Sequence, residues 1–475
     1  MAKKKKSPII PGPYLGRKVI YSNVDRITKD NVLDVFEEAM ITHLLNSGEI
    51  QYLWEYYKGN QPILYRIKTI RPEINNMIVE NRANEIVSFK VGYLCGEPIQ
   101  YISRKTDEKV SQQIDQLNEL MFSENKANKD REIVEWQMIC GTAYRLCVPD
   151  KGEILDSPFN IYTLDPRNTF VVYSTDVEHK PLMSCCYTLD TLGNPDKVTC
   201  YTDNQCFVIT SGGIVEERPF VLKKNPIIEY PANNARQGCF EIVLPLLDAI
   251  NEVESNRLDS VQQFVQSFLK FINCDVDEEQ LAALKELGAI KIKSVDGQNA
   301  DVDLITSELN QAQTQTLADN LYETVLTICG MPNRNGGTST SDTGAAVVLR
   351  DGWSLAEARA KDSELMFKAS EREFLRIALS ICKRQIPNFD LELKDVDMQF
   401  TRRNYENIQS KAQVLISMLQ NDKIHPLLAF THCGMFSDPE AAYQMSLQHY
   451  EETINEYVNE LDNINADEVL TDENV

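Results

Sequence analysis

The sequence predicts an α+β chain organised around long helices, and three observations carry that prediction. Phe240 to Ile386 reads as long helix, short insert, long helix, polar loop and very long helix, with apolar residues of the first helix at three- and four-residue spacing on one stripe. Upstream, beyond Gly141, the texture changes to short β-branched and aromatic runs separated by turn formers. Downstream of Pro387 there is one strand pattern and then helix to the end.

The first long helix is bounded by Pro245, a good first helical residue, and the polar turn at Asn273. Leu246, Leu247, Ile250, Val253, Leu258, Val261, Phe264, Val265, Phe268 and Ile272 form its stripe, while Asp248, Glu252, Asn256, Gln263, Gln266 and Lys270 lie opposite. Such a helix would be about 43 Å long. A charged insert, Cys274 to Thr306, is expected to hold a short helix Glu279–Leu287 and a strand Ala289–Ser294. A returning helix of about 35 Å runs from Ser307 to Cys329, polar at its start, and Gly330-Met331-Pro332 ends it. A polar loop follows, from Asn333 to Gly344. Then Ala345 to Ile386 reads as one helix with a kink at Gly352, about 63 Å if straight. A compact monomer of this length would be roughly 60 Å across. A helix that long suits a subunit whose faces are covered by neighbours. Eight bases against six acids on this helix, in an acidic chain, add a register device for such contacts.

Taken from the start, Ala2-Lys3-Lys4-Lys5-Lys6 has the charge of a signal peptide but no apolar core after it. Residues 28–58 read as two helices with an aromatic cluster at Tyr52, Trp54, Tyr56 and Tyr57. Residues 74–93 read as another helix. Pro98 to Ser103 is a short strand, and Asp107–Glu124 and Lys129–Cys140 are amphipathic helices. Strands are expected at Tyr144–Val148, Phe159–Leu164, Thr169–Ser174, Met183–Leu189, Val198–Thr202, Cys206–Thr210 and Ile227–Tyr230, a spacing that predicts an antiparallel meander. Val396–Thr401 is the late strand, with helices near 404–420, 426–433 and 438–461. From Ile424 to Val475 there are eleven acids and no Lys or Arg, so the final dozen residues are expected to be disordered.

At 475 residues the chain is expected to form two to four domains. A net charge of −23 argues against a simple nucleic-acid binder, which needs a basic face to neutralise phosphates. Twelve scattered cysteines without C-x-x-C read as reduced small hydrophobes, and no apolar run reaches membrane-spanning length. The chain therefore reads as soluble and intracellular. No dinucleotide, P-loop or zinc-protease motif occurs, and no Cys/His spacing suggests zinc. The best acidic cluster, Asp275, Asp277, Glu278 and Glu279, would suit Mg²⁺ in a nuclease, but also the first turn of a short helix. Asp301-Val302-Asp303 is similarly ambiguous. The aromatic cluster could stack bases, though packing is the commoner use.

Four stretches in order resemble the phage portal protein family, in particular the SPP1-type portals of tailed siphophages. They are Leu53-Trp54-Glu55-Tyr56-Tyr57-Lys58-Gly59-Asn60-Gln61-Pro62-Ile63, then Asn81-Arg82-Ala83-Asn84-Glu85-Ile86-Val87 leading to Gly92-Tyr93-Leu94-Cys95-Gly96-Glu97-Pro98-Ile99. Phe240-Glu241 with Leu246-Leu247-Asp248-Ala249-Ile250-Asn251 and Ser255-Asn256 is the third. Gly330-Met331-Pro332-Asn333 with Ser341-Asp342-Thr343-Gly344-Ala345-Ala346 is the fourth. The resemblance spans roughly residues 20–460.

It implies a non-enzymatic ring of about twelve subunits at one capsid vertex, assembled in the host cytoplasm, with a channel for packaging and ejecting double-stranded DNA. By composition 1–27 is a flexible lead; by that plan 28–239 is the outer α/β wing. Stem helices occupy 240–273 and 307–332, with a small α/β clip at 274–306 and a tunnel loop at 333–344. A long kinked helix and return strand fill 345–403 and a helical crown 404–462; the acidic tail 463–475, like the lysine-rich start, matches no family motif. Tunnel-loop residues Arg334, Asn335, Gly336, Gly337, Thr338, Ser339, Thr340 and Ser341 would face DNA. Glu278, Glu279, Lys285, Glu286, Lys291 and Lys293 would form the clip's docking surface. Implied partners are the terminase large subunit, a head–tail adaptor, major capsid and scaffolding proteins, and DNA without sequence specificity. No cofactor, metal, membrane or catalytic residue is expected. The alternatives are a metal-dependent phage nuclease using residues 275–279, or a cytosolic helical scaffold.

Overall fold

The computed structural model describes residues 16–104, 107–150, 157–220, 222–265, 268–272, 274–275, 293–294, 301–305, 311–333, 352–402, 408–436 and 439–454. It is mixed α+β and divides into two compact units. The first comprises residues 1–90, 135–145 and 163–331; the second comprises 91–134, 146–162 and 332–475.

The first unit holds the predicted meander. Strands β5 (Thr169–Ser174), β6 (Pro181–Leu189), β7 (Pro195–Tyr201), β8 (Gln205–Thr210) and β9 (Gly213–Pro219) pair antiparallel in chain order. β1 (Ile20–Ser22) adds to β5 in parallel, Ile20 opposite Val172. Neither β1 nor β9 is legible in the sequence. β1 is three residues long, and β9 is an exposed edge strand with the polar run Glu216-Glu217-Arg218, so it lacks the apolar alternation that marks a strand. Helix α1 (Val32–Tyr57) covers one face of this sheet. Val32, Val35 and Ala39 join Phe170, Val172, Met183, Cys185, Val198, Cys200, Phe207 and Ile209 in one core.

The expected pair of helices at 28–58 is this single helix of 26 residues. Asn46-Ser47-Gly48 looks like a break, but its polar groups serve tertiary contacts. Asn46 accepts from the Lys18 amide at 3.0 Å and donates to the Lys18 carbonyl at 2.8 Å. Ser47 donates to the Arg167 carbonyl at 2.9 Å. The aromatic cluster is packing. Trp54 stacks on Trp136 at 4.7 Å, and Tyr52 and Tyr56 are buried. Among the other strands, the first half of β3 (Thr142–Pro149) neighbours β10 (Ile227–Pro231). There the buried Glu229 takes hydrogen bonds from Thr142, Tyr173 and Arg236 at 3.0, 2.6 and 2.7 Å.

In the second unit, β2 (Gln100–Ser103) pairs antiparallel with β15 (Val396–Gln399). Helix α3 (Glu108–Ser123) packs on β2, its first turn capped by Asp107, which accepts from the Lys109 amide. Lys126, at the start of α4 (Lys126–Cys140), is buried with Asp130 and Glu371 at 2.6 and 2.9 Å, and Tyr101 donates to Glu371 at 2.5 Å. Glu371 lies on α7 (Trp353–Gln385), which differs from its prediction. Gly352 itself stands outside the described helix. Its φ of +81° lies outside the helical region, and it caps a helix that begins at Trp353 and spans about 50 Å. Residues 345–351 lie outside the described residues. The chain continues into α8 (Ile408–Leu419), α9 (Pro426–Cys433) and a helix at 439–454. His425 caps α9, Pro426 opens it and Gly434 at φ +61° closes it.

Three backbone segments of the first unit approach too closely for any side chain. A Cβ on Gly16 would lie 1.9 Å from the Ala235 carbonyl oxygen, one on Gly141 2.2 Å from that of Arg236, and one on Gly238 2.3 Å from that of Ile139. Gly141 also has φ +82°. This is where helix α4 turns into strand β3, and the residue marks the change of texture in the sequence. Gly141→Ala is expected to destabilise the chain by at least about 2 kcal/mol, from strain and backbone collision together. Urea unfolding measures this, and an unchanged midpoint would contradict the three-segment approach.

Candidate channel and docking elements

Helix α5 (Leu244–Val265) and helix α6 (Gln311–Cys329) pack on each other in the first unit, and the chain between them makes a strand-paired excursion. The sequence predicts α5 to run on to Asn273. Instead, Phe268–Ile272 is strand β11, antiparallel to β14 (Asp301–Ile305). Its run Phe-Leu-Lys-Phe-Ile fits a helical stripe and a strand equally well. Pairing settles it: Phe268 lies opposite Ile305, Phe271 opposite Val302, and Lys270 opposite Asp303. Beyond them β12 (Cys274–Asp275) pairs with β13 (Lys293–Ser294), Asp275 opposite Lys293. Of the expected docking residues only Lys293 is therefore placed. Glu278, Glu279, Lys285, Glu286 and Lys291 lie outside the described residues, as do the helix expected at 279–287, the first four residues of the strand expected at 289–294, and Asp277 of the acidic cluster. The tunnel-loop residues 334–341 also lie outside them.

The end of α6 is well defined. The Gly330 amide donates to the Thr327 carbonyl at 3.2 Å and the Met331 amide to that of Leu326 at 2.9 Å, with Gly330 at φ +64°. This pair of bonds is a Schellman stop, and Met331 and Leu326 are both buried beside it.

The largest departure from the sequence reading lies beside α5. The helix predicted at 74–93 begins only at Arg82, as α2 (Arg82–Cys95). Residues 76–80 lie along α5 instead. The amides of Asn76, Ile78 and Glu80 donate to the side chains of Asp259, Ser255 and Asn251 at 2.7, 3.0 and 2.8 Å. Every second residue of the segment meets every fourth residue of the helix. Two extended residues advance about 6.7 Å and four helical residues about 6.0 Å, so three successive contacts stay in register. Asn251, Ser255 and Asp259 are buried. They form a polar ladder on a helix face that an apolar-stripe reading passes over. The i, i+4, i+8 spacing of three short polar side chains is the signal that was available.

The ladder joins the sequence motifs in space. Buried Gln61 donates to the Tyr56 carbonyl and to Asn81 Oδ1 at 3.1 and 3.0 Å, and accepts from Asn251 at 2.5 Å. Asn81 donates to the Tyr57 carbonyl at 2.9 Å. Tyr56 donates to Asp248 at 2.9 Å and stacks on Phe240 at 5.9 Å. Gly59, at φ +97°, lets the chain turn from α1 into this hub. From α6, Tyr322 donates to Glu85 at 2.9 Å and carries the Arg82 guanidinium over its ring at 3.9 Å.

At the far end of the ladder, burial pushes the Asp259 carboxyl up. Lys68, two donors from Asn76 and the Arg66 guanidinium outweigh it and hold the carboxyl down at about 2. An acid depressed below its unfolded value of about 3.9 adds stability above that pH, and the gain is lost as pH falls through about 2. Asp259→Asn is expected to cost about 1–3 kcal/mol at pH 7, and the gap to the parent should narrow between pH 5 and pH 2. A gap that stays constant across that range in urea unfolding would remove the clamp from the account.

No curated protein matches the chain. A family model described as phage portal protein, SPP1 Gp6-like, matches residues 42–465. That match runs from the middle of α1 through the C-terminal helices, including the hub where the motifs at 53–63, 81–87 and 240–256 meet. The chain belongs to the phage portal protein family.

Proposed function

We propose that the chain assembles into a ring of about twelve copies at one capsid vertex, forming the channel through which double-stranded DNA is packaged and ejected. The family match over 42–465 is the observation that carries this reading. Portal proteins are generally structural rather than enzymatic. Further support comes from exposed apolar residues on the stem helices. Leu258 and Val261 are 38% and 40% exposed on α5, and Leu317 and Ile328 are 50% and 39% exposed on α6. A neighbouring copy would cover them. Among the described residues no helix is long and apolar enough to cross a membrane. The acidic net charge fits a duct that must pass DNA without holding it.

In this reading the excursion between α5 and α6 is the clip, where the terminase motor and later the head–tail adaptor dock. The loop from Arg334 to Gly344 lines the narrow part of the channel. Arg334 and Asp342 are its only charges, so a ring of such loops would add almost no net field to trap phosphates. The capsid and scaffolding proteins would meet the outer surface.

Negative-stain microscopy of purified protein should show rings with a central hole. Monomers at micromolar concentration and moderate salt, or nicking of plasmid DNA with Mg²⁺, would instead favour the scaffold or the nuclease reading. Two variants then separate the parts. Glu279→Lys with Glu286→Lys should leave rings intact and weaken motor binding by about tenfold or more, equivalent to about 1.4 kcal/mol. Shortening residues 336–341 should preserve rings and motor docking yet change how much DNA is packaged or retained. Unchanged motor affinity sinks the docking assignment, and normal packaging and retention of full-length DNA sinks the tunnel assignment.

A further inference from the structure

Two of the cysteines lie directly opposite each other in the meander. Cys185 on β6 is the register partner of Cys200 on β7, and their Sγ atoms are 3.0 Å apart. Directly opposed antiparallel residues have Cα separations of about 4.5–5.5 Å, inside the range a disulfide spans. Both side chains are fully buried, in the core between the sheet and α1. The other two cysteines of the sheet face different residues. Cys186 is opposite Thr199, and Cys206 is opposite Tyr201 and Arg218.

We propose that Cys185 and Cys200 are a cross-link site, held as thiols under reducing conditions and joined to each other by exchange with a small-molecule disulfide. The step balances in two exchanges. One cysteine thiolate attacks the small disulfide, forming a mixed disulfide and expelling one small thiolate. The second cysteine thiolate then attacks the protein sulfur of the mixed disulfide, forming the Cys185–Cys200 bond and expelling the second small thiolate. The protein loses two hydrogens, and one small disulfide becomes two thiols. Burial keeps the Cys185 thiol protonated well above the ordinary cysteine range, so reaction requires transient opening of the sheet and is slow in the closed state. The bond would staple β6 to β7 in the middle of the sheet and constrain the unfolded chain. The chemistry is independent of the portal reading. Only its occasion rests on that reading, since a virion leaves a reducing cytoplasm for an oxidising medium.

The test uses the full chain with glutathione disulfide, with and without sub-denaturing urea, followed by alkylation of remaining thiols. The expected result is loss of two hydrogens and two alkylatable thiols, faster in urea, with peptides spanning 185 and 200 joined under non-reducing digestion. Melting temperature should rise on the order of 5 °C and return on treatment with dithiothreitol. The joined peptide should persist in Cys186→Ala and vanish in Cys200→Ala. If Cys200→Ala does not fold, fragment sequencing of the joined peptide from the native chain assigns the bond by itself. A bond that maps elsewhere, such as Cys239 to Cys329, or mixed disulfides without any joined peptide, overturns the proposal.

Discussion

An extended backbone laid along a helix has no ladder to accept its amides, and the structure around α5 depends on how that problem is met. Asn251, Ser255 and Asp259 supply three acceptors at the helical repeat, aimed at three alternate amides of residues 76–80. A buried amide without a partner costs about 1–3 kcal/mol, so the ladder removes a penalty more than it adds a gain. With the segment fixed, Asn81 arrives where it can bond the end of α1, and Gln61 can bridge α1, Asn81 and α5. The positions of α1, α2 and α5 within the unit are therefore set by side-chain amides and carboxylates as much as by apolar packing.

Buried charge is used in the same manner elsewhere. Glu229 with Arg236, Arg17 with Glu241, and Lys126 with Asp130 and Glu371 are ion pairs inside one or the other unit. Such pairs add little net stability over an apolar core, because desolvation offsets the Coulomb attraction. Removing one partner is expensive, since it leaves an uncompensated buried charge. Within each unit, such pairs oppose alternative packings of the segments they join. In the ring proposed above, that would limit the angular error each copy brings to the closure.

The channel assignment draws on different physics. A conduit for DNA gains nothing from a basic wall, because each neutralised phosphate adds affinity and slows passage. A net charge of −23 and a nearly neutral glycine-, threonine- and serine-rich loop are consistent demands on one molecule. In the proposed ring, neighbouring copies would cover the exposed apolar positions on α5 and α6.

Much of this was legible in the sequence by itself, because it follows from local periodicity and local turn chemistry. Period-two runs bounded by Gly, Asn, Asp and Pro placed β4 (Phe159–Leu164) and β5 through β8 to within two or three residues. Asp107 marked the start of α3, and Gly330 before Met-Pro marked the stop of α6. The motifs at 53–63, 81–87 and 240–256 carried the family. Tertiary structure decided what local signals leave degenerate. Phe268–Ile272 satisfies both helical and strand spacing, and only the partner strand Asp301–Ile305 distinguishes them. Asn46-Ser47-Gly48 would break a helix in isolation but is held helical by Lys18 and Arg167. Residues 74–81 read as helix because their intrinsic preference permits it. The amides of 76, 78 and 80 find better acceptors on α5, between 171 and 183 residues away in sequence, where no local signal can report them.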